Sequence, residues 1–252
     1  MYYQSRSIIL KSRDLRDSDQ ILTIFTEKEG KVTAVAKGVK KPKSSLRGCT
    51  QPFCHSLLYF TRGRDMDLIT QGRIIDFFGN SREDITRTLY SMYMMELLDK
   101  SLLERSPLPQ LYAALARVLE HINQQGLDLM LVRYFESRLL VNLGYKPIMD
   151  QCAHCGSKEL RDFSFSLPEG GLMCPACMER SEHLIILRGE TAALLRLLCE
   201  GSLHAVQRVK ASPLARQQLE IVLEKYLEYH LERRFKVKNT IRLLKRTLAV
   251  SN

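Results

Sequence analysis

Residues 20–37, "QILTIFTEKEGKVTAVAK", decide how the first third of the chain folds. "QILTIFT" is apolar and rich in β-branched residues, "EKEGK" has the chemistry of a hairpin turn centred on Gly30, and "KVTAVAK" follows as the next strand. Upstream, "SRSIILKS" (5–12) sets Ile8 and Leu10 against Ser7 and Ile9 as an alternating strand. Downstream come "PFCHSLLYFT" (52–61), the turn "RGRD" (62–65) and "DLITQGRIIDFF" (67–78), where Gly72 signals a bulge or tight bend. Five strands in 80 residues leave no room for a sandwich and predict a small closed barrel such as the OB-fold.

From Ser81 the period becomes helical. Ser81 and Asp84 have the spacing of a capping box, and Tyr90, Tyr93, Met94, Leu97 and Leu98 form one apolar stripe. Further helices are predicted from near Pro107 to Gly126 and from about Asp128 to "GYKP". A late helix has Ser212 as N-cap, Pro213 at its first position, and Leu219, Val222, Leu223, Tyr226 and Leu227 on one face. No long linker divides the chain. The reading is therefore an α+β multidomain protein: an OB-fold barrel over 1–80 packed on a helical domain over 81–252.

The chain has 252 residues, 45% of them hydrophobic, enough for a sizeable core. With no long apolar run and no signal-peptide pattern at the amino terminus, the expected location is the cytoplasm. The net charge is +10. Residues 1–80 contribute +6 and residues 233–252 contribute +7, against −3 for the middle. Between Gly30 and Arg64, Arg64 included, stand eight basic residues and no carboxylate. Such a field attracts a polyanion, most often nucleic acid and less often an anionic membrane.

Cys152, Cys155, Cys174 and Cys177 are spaced C-x2-C-x18-C-x2-C, so two knuckles can converge on one ion, with a short hairpin between them. Four thiolates predict one structural zinc in a lobe over 148–182, with no open position for a catalytic water. His154 is then a spare side chain or a replacement for one cysteine. Cys49, Cys54 and Cys199 lack a partner at metal spacing and read as buried thiols.

The usual catalytic patterns are missing. A zinc nucleobase deaminase needs H-x-E and P-C-x-x-C, which this cluster lacks. "GVKKPKS" (38–44) has no second Gly and carries Pro42 where a phosphate loop needs an N–H. G-x-S-x-G, H-E-x-x-H and G-x-G-x-x-G do not occur. No catalytic residue is assigned. A nucleic-acid-processing enzyme that grips its substrate with the zinc lobe remains the alternative. A sequence-reading transcription factor fits poorly, because the segment from Cys152 to Cys177 has two basic residues against three acidic ones.

"RDSDQILTIFTEKEGKVTAVAKGVKKPKSSLRGCTQPF" (16–53), "SREDITRTLYSMYMMELLDK" (81–100), and "LGYKPIMDQCAHCG" (143–156) leading to "GGLMCPAC" (170–177) together resemble the bacterial RecO recombination-mediator family. The resemblance spans nearly the whole chain. It implies an amino-terminal OB-fold, a helical body and a four-cysteine zinc lobe. It also implies binding of single- and double-stranded DNA, annealing without ATP, and help from RecR in loading RecA onto DNA coated by single-strand-binding protein (SSB), with a nucleoid-associated location. The carboxyl end, "RRFKVKNTIRLLKRTLAVSN" (233–252), is longer and more basic than that family leads one to expect.

With such a barrel, Lys37, Lys40, Lys41, Lys43 and Arg47 are the first candidates to neutralise phosphates. Arg62 and Arg64 offer a second contact, and Lys11, Arg13 and Arg16 a third. The other reading is a solvated loop that keeps the protein soluble. Phe53, Tyr59 and Phe60, the candidates for stacking bases, are read in one strand with Phe60 on the face opposite the other two, and most of them are read as barrel core. Arg233, Arg234, Lys236, Lys238, Arg242, Lys245 and Arg246 form either a second basic patch, which annealing would use, or a basic helix end or frayed tail. On the stripe Leu131, Tyr134, Phe135 and Leu139, Arg138 pairs with a buried carboxylate or snorkels. Alternatively Arg138, with Arg133, receives the acidic, hydrophobic tail of SSB that the resemblance implies.

Overall fold

The computed structural model describes residues 1–160, 164–179 and 183–250, without the side chains of 245–250. The chain forms two compact units, Met1–Leu127 with Phe235–Asn252, and Asp128–Arg234. Among the described residues there are eight strands and nine helices.

The first unit opens with β1 (Tyr2–Asp14), β2 (Gln20–Thr26), β3 (Gly30–Ala36), β4 (His55–Thr61) and β5 (Asp67–Asp76). They close into a barrel in the order β1-β2-β3-β5-β4, in which only β3 and β5 run parallel. This is the five-stranded OB-fold that the turn-and-strand pattern predicts, with Ile9, Leu22, Ile24, Val32, Leu58 and Phe60 in its core. The hairpin closes where Thr26 pairs with Gly30. Gly30 has φ +72, and a Cβ there would collide with the Ser106 carbonyl oxygen, so glycine is required twice over.

Two expectations for the barrel change and one holds. Ile8, Ile9 and Leu10 are all buried, because α2 (below) packs against β1 and the β1–β2 register shifts between Ile9 and Lys11. Phe53 precedes β4: the Cys54 N–H turns back to the Gln51 carbonyl, and Phe53 adopts φ 49. Phe60 and Tyr59 do face opposite sides, buried and exposed respectively.

Then come α1 (Gly79–Glu83), α2 (Ile85–Ser101) and α3 (Pro109–Gln125). Ser81 lies inside α1 and caps nothing. Asp84 is extended, and its carboxylate accepts from the N–H groups of Thr86 and Arg87 at 2.8 and 3.0 Å, so α2 starts at Ile85.

In the second unit, α4 (Leu129–Asn142) is followed by β6 (Ser164–Ser166), β7 (Gly171–Met173), α5 (Pro175–Met178), β8 (Leu184–Ile186), α6 (Gly189–Glu200), α7 (Leu203–Arg208) and α8 (Pro213–Leu231). Asp128 caps α4 through the Met130 N–H at 2.9 Å, and Ser212 caps α8 through the Ala215 N–H at 3.2 Å. α4 packs against α6, α7 and α8, and the predicted stripe from Leu219 to Leu227 is the buried face of α8. The hairpin between the cysteine pairs is β6–β7, joined by β8 into a small sheet whose Phe165 sits edge-on to Tyr226 at 5.2 Å.

The chain ends as α9 (Lys236–Val250), which belongs to the first unit. Glu96 of α2 accepts from the N–H groups of Lys236 and Val237, both at 2.9 Å, so a carboxylate caps the helix. Phe235 is buried edge-on to Tyr93. The basic carboxyl end is therefore a docked helix and not a frayed tail. No described helix is long and apolar enough to cross a membrane.

Candidate nucleic-acid interface and metal centre

Residues 37–54 join β3 to β4 across the barrel. Val39, Leu46 and Cys49 sink into the barrel core, while Lys37, Lys40, Lys41, Lys43 and Arg47 between and beside them stay exposed. The backbone is pinned as well: the Gly38 N–H donates to the Asp19 carboxylate at 2.7 Å, and the Lys40 N–H donates to the Ser18 carbonyl at 3.0 Å. At the far end Arg82 lies 4.0 Å from the rings of both Phe53 and Phe77 and donates to the Pro52 carbonyl. Gly72 serves this loop. It pairs in register with Leu58, and a Cβ there would stand 2.8 Å from Leu58 and 3.1 Å from the Cys49 sulfur. The cations are thus carried on an anchored surface, so little ordering is needed when an anion arrives.

The acid-free window of the sequence is not acid-free in space. Lys40 pairs with Asp14 at 2.9 Å, Lys11 with Asp99 at 3.9 Å, and Arg62 with Glu29. The Lys40 ammonium, then Gln20, holds the Asp14 carboxyl below its ordinary pKa. Arg13, Arg16, Lys37, Lys41, Lys43, Arg47 and Arg64 form no ion pair with a described residue.

Arg62 belongs to a network under the 62–66 turn. Its guanidinium lies 5.1 Å from the Tyr3 ring, whose hydroxyl donates to the fully buried Asp67. Asp67 also accepts from the Gly63 N–H at 3.1 Å and from Arg105 at 2.9 Å. Burial opposes its charge, yet these donors outweigh burial and hold its pKa below the ordinary value. Its contribution is therefore present above the unfolded value near 4 and is lost as pH falls through the lower, folded value. Asp67→Ala is expected to cost about 2–3 kcal/mol at neutral pH. In urea titrations the gap between variant and wild type should narrow as pH falls below about 4. A gap independent of pH would refute this role.

The four Sγ atoms of Cys152, Cys155, Cys174 and Cys177 lie within 4.8 Å of one another. Those of Cys155 and Cys174 are 3.7 Å apart, and two sulfurs about 2.3 Å from a shared ion at a tetrahedral angle stand about 3.8 Å apart. Backbone bonds shape both knuckles: Gly156 N–H to the Cys152 carbonyl at 2.9 Å, and Cys177 N–H to that of Cys174 at 3.0 Å. This cluster can hold a metal ion. His154 is exposed and outside the ligand set, with Nδ1 3.3 Å from the Glu169 carboxylate.

On α4 the two arginines separate. Arg133 is 3% exposed and pairs at 2.9 Å with the fully buried Glu136. Arg138 is half-buried and donates to the Cys199 carbonyl at 2.9 Å. At the carboxyl end Arg233, Arg234, Lys236 and Arg242 are exposed, whereas Lys238 is buried with Nζ 5.3 Å from the Tyr93 ring. Lys245 and Arg246 lie outside the described side chains. Sequence reasoning passed over Asp19, Asp67 and Arg82, which position the candidate cations. Asp19 just before β2 and Asp67 at the start of β5 look no different in sequence from their neighbours Asp17 and Asp65, and only the fold brings their donors to them.

Two family models match, "Recombination protein O N terminal" over residues 1–78 and "Recombination protein O C terminal" over 82–239. The chain is 53% identical over 249 residues to the DNA repair protein RecO of Syntrophomonas wolfei, covering 98% of this chain and 99% of that one. It is 35% identical to RecO of Desulforamulus reducens (93% and 91% covered) and 33% identical to RecO of Bacillus pumilus (90% and 89%). An OB-fold barrel bearing an anchored cationic loop, a four-cysteine cluster, and matches over nearly the full length agree: the chain belongs to the RecO family of DNA repair proteins.

Proposed function

We propose that this chain is a non-enzymatic recombination mediator that binds single- and double-stranded DNA, anneals complementary strands without ATP and, with RecR, assists RecA loading on SSB-coated DNA in the nucleoid. The anchored loop carries the reading: five exposed cations ride on three buried side chains, which is what sequence-independent phosphate contact requires. Lys37, Lys40, Lys41, Lys43 and Arg47 form the main contact, Arg64 extends it, and Arg13 and Arg16 flank it. Lys11, Lys40 and Arg62 exchange a carboxylate partner for phosphate or remain structural. The barrel unit over 1–80 is the DNA-binding part. Zinc is the ion assigned to the four thiolates, because a closed tetrahedral sulfur set is its usual structural site. The acidic tail of SSB is assigned to Arg138, with Arg133 supporting the helix beneath it.

Annealing needs two strands held together against phosphate repulsion, after which base pairing supplies the driving energy. Two complementary oligonucleotides labelled for energy transfer, mixed with the protein in the absence of nucleotide and magnesium, test this. Fast annealing is expected from the wild type. Lys40→Glu/Lys41→Glu/Lys43→Glu should lower DNA affinity by about 100-fold or more and reduce the salt slope by about three. Annealing indifferent to these charges, or cleavage of the strands when magnesium is then added, would overturn the proposal.

A further inference from the structure

The barrel carries a second exposed surface with a different chemistry. On the outer face of β1, β4 and β5, register places Gln4 opposite Tyr59 and Tyr59 opposite Gln71. The row on one side is Arg6–Leu57–Arg73, and that on the other begins at Tyr2, opposite Thr61. Successive rows on one face lie two residues apart, roughly 7 Å. Tyr2 is 80% exposed and Tyr59 37% exposed, and between them runs a groove of about 450 Å³ whose lining includes Gln4, Thr70 and Gln71. Among the described residues that line the groove there is no aliphatic side chain and no carboxylate. Beyond Tyr2, the Arg62 N–H donates to the Met1 carbonyl at 2.9 Å, which brings the arginine turn to this edge.

Aromatic faces and side-chain amides in the groove, with guanidinium groups beside it and no carboxylate among the described lining residues, are what unpaired bases and their phosphates require. Rings supply stacking to any base, amides supply adaptable edge contacts, and arginines at both ends follow the backbone. Rings and arginines also occur at protein interfaces, and equal affinity for base-bearing and abasic strands would point to that occupant instead. We propose that this face is a base-stacking platform for single-stranded nucleic acid, with Tyr2 and Tyr59 as the stacking rings and Arg6 and Arg73 as the cations of one flank. The proposal rests on the polynucleotide-binding reading above and adds to it a site that recognises bases, where the loop recognises only phosphate.

The test compares a thymidine oligonucleotide with an abasic oligonucleotide of equal length, by fluorescence anisotropy across a salt series. The wild type should prefer the thymidine strand by about ten-fold or more. Tyr2→Ala/Tyr59→Ala should bring thymidine affinity down to the abasic level, leaving abasic affinity and the salt slope unchanged. Tyr59→Phe, which keeps the ring, should retain the preference. The unchanged abasic affinity also reports that the double variant is folded. Equal wild-type affinity for the two strands, a preference that survives the double substitution, or a parallel loss on both strands would overturn the platform while leaving phosphate binding by the loop intact. A wild type that binds neither strand would overturn both readings.

Discussion

Cys174→Ser is expected to abolish metal binding and unfold the small lobe of the second unit while leaving the barrel folded. Around the cysteines the lobe has little core besides the candidate ligands: Cys152, Met173 and Cys174 form a small buried cluster with Ala153, Leu160 and Leu184 packed partly against it, while Phe165 and Leu172 of its sheet are buried outside that cluster. Its sheet has strands of three residues each, too short to stand alone. An ion held by four thiolates contributes on the order of 10 kcal/mol of binding free energy, all of it coupled to folding of the site. The barrel core is a separate cluster that includes no residue of the lobe. Elemental analysis should find one zinc per wild-type chain and none in the variant. Limited proteolysis should then open new cleavage sites between residues 150 and 186 while the barrel fragment persists. His154→Ala should keep its metal, since that imidazole faces Glu169. Zinc retained by Cys174→Ser, or lost from His154→Ala, would refute the assigned ligand set.

The barrel and the four-cysteine cluster were legible because each depends on near neighbours in sequence. The short β runs, the Gly30 turn and the two knuckles are local patterns, and the fold preserves them. Cover was not legible. Nothing in "SRSIILKS" announces that α2 lies on its second face, which is why an apparently alternating strand buries Ile8, Ile9 and Leu10 together. Charge balance escaped for the same reason: the acid-free run meets Asp14 and Glu29 only once the strands pair. The carboxyl-terminal cations look like a tail until Glu96, 140 residues away, caps their helix. Tyr2 gave no signal, because whether an exposed ring at a strand end is covered depends on which strands flank it.

Arg133 and Arg138, five residues apart on α4, should respond to the same substitution in opposite ways. Arg133 and Glu136 are buried together at 2.9 Å, one turn apart, so Arg133→Ala leaves a fully enclosed carboxylate without its ion pair. That is expected to destabilise the protein by about 3–5 kcal/mol. Replacing both at once, Arg133→Met with Glu136→Leu, removes both charges and should restore most of the loss, because desolvating two charges offsets much of what their attraction contributes. Arg138→Ala gives up one partly exposed bond to the Cys199 carbonyl and should cost about 1 kcal/mol. If the SSB tail docks at Arg138, this mild variant is the one that loses affinity for an acidic, hydrophobic carboxyl-terminal peptide, while the double variant at 133 and 136 retains it. Urea denaturation and peptide titration on the three proteins separate the roles. Equal stability of Arg133→Ala and wild type would remove the buried pair from the account of the fold. Peptide affinity unchanged by Arg138→Ala would remove that residue from the account of partner binding.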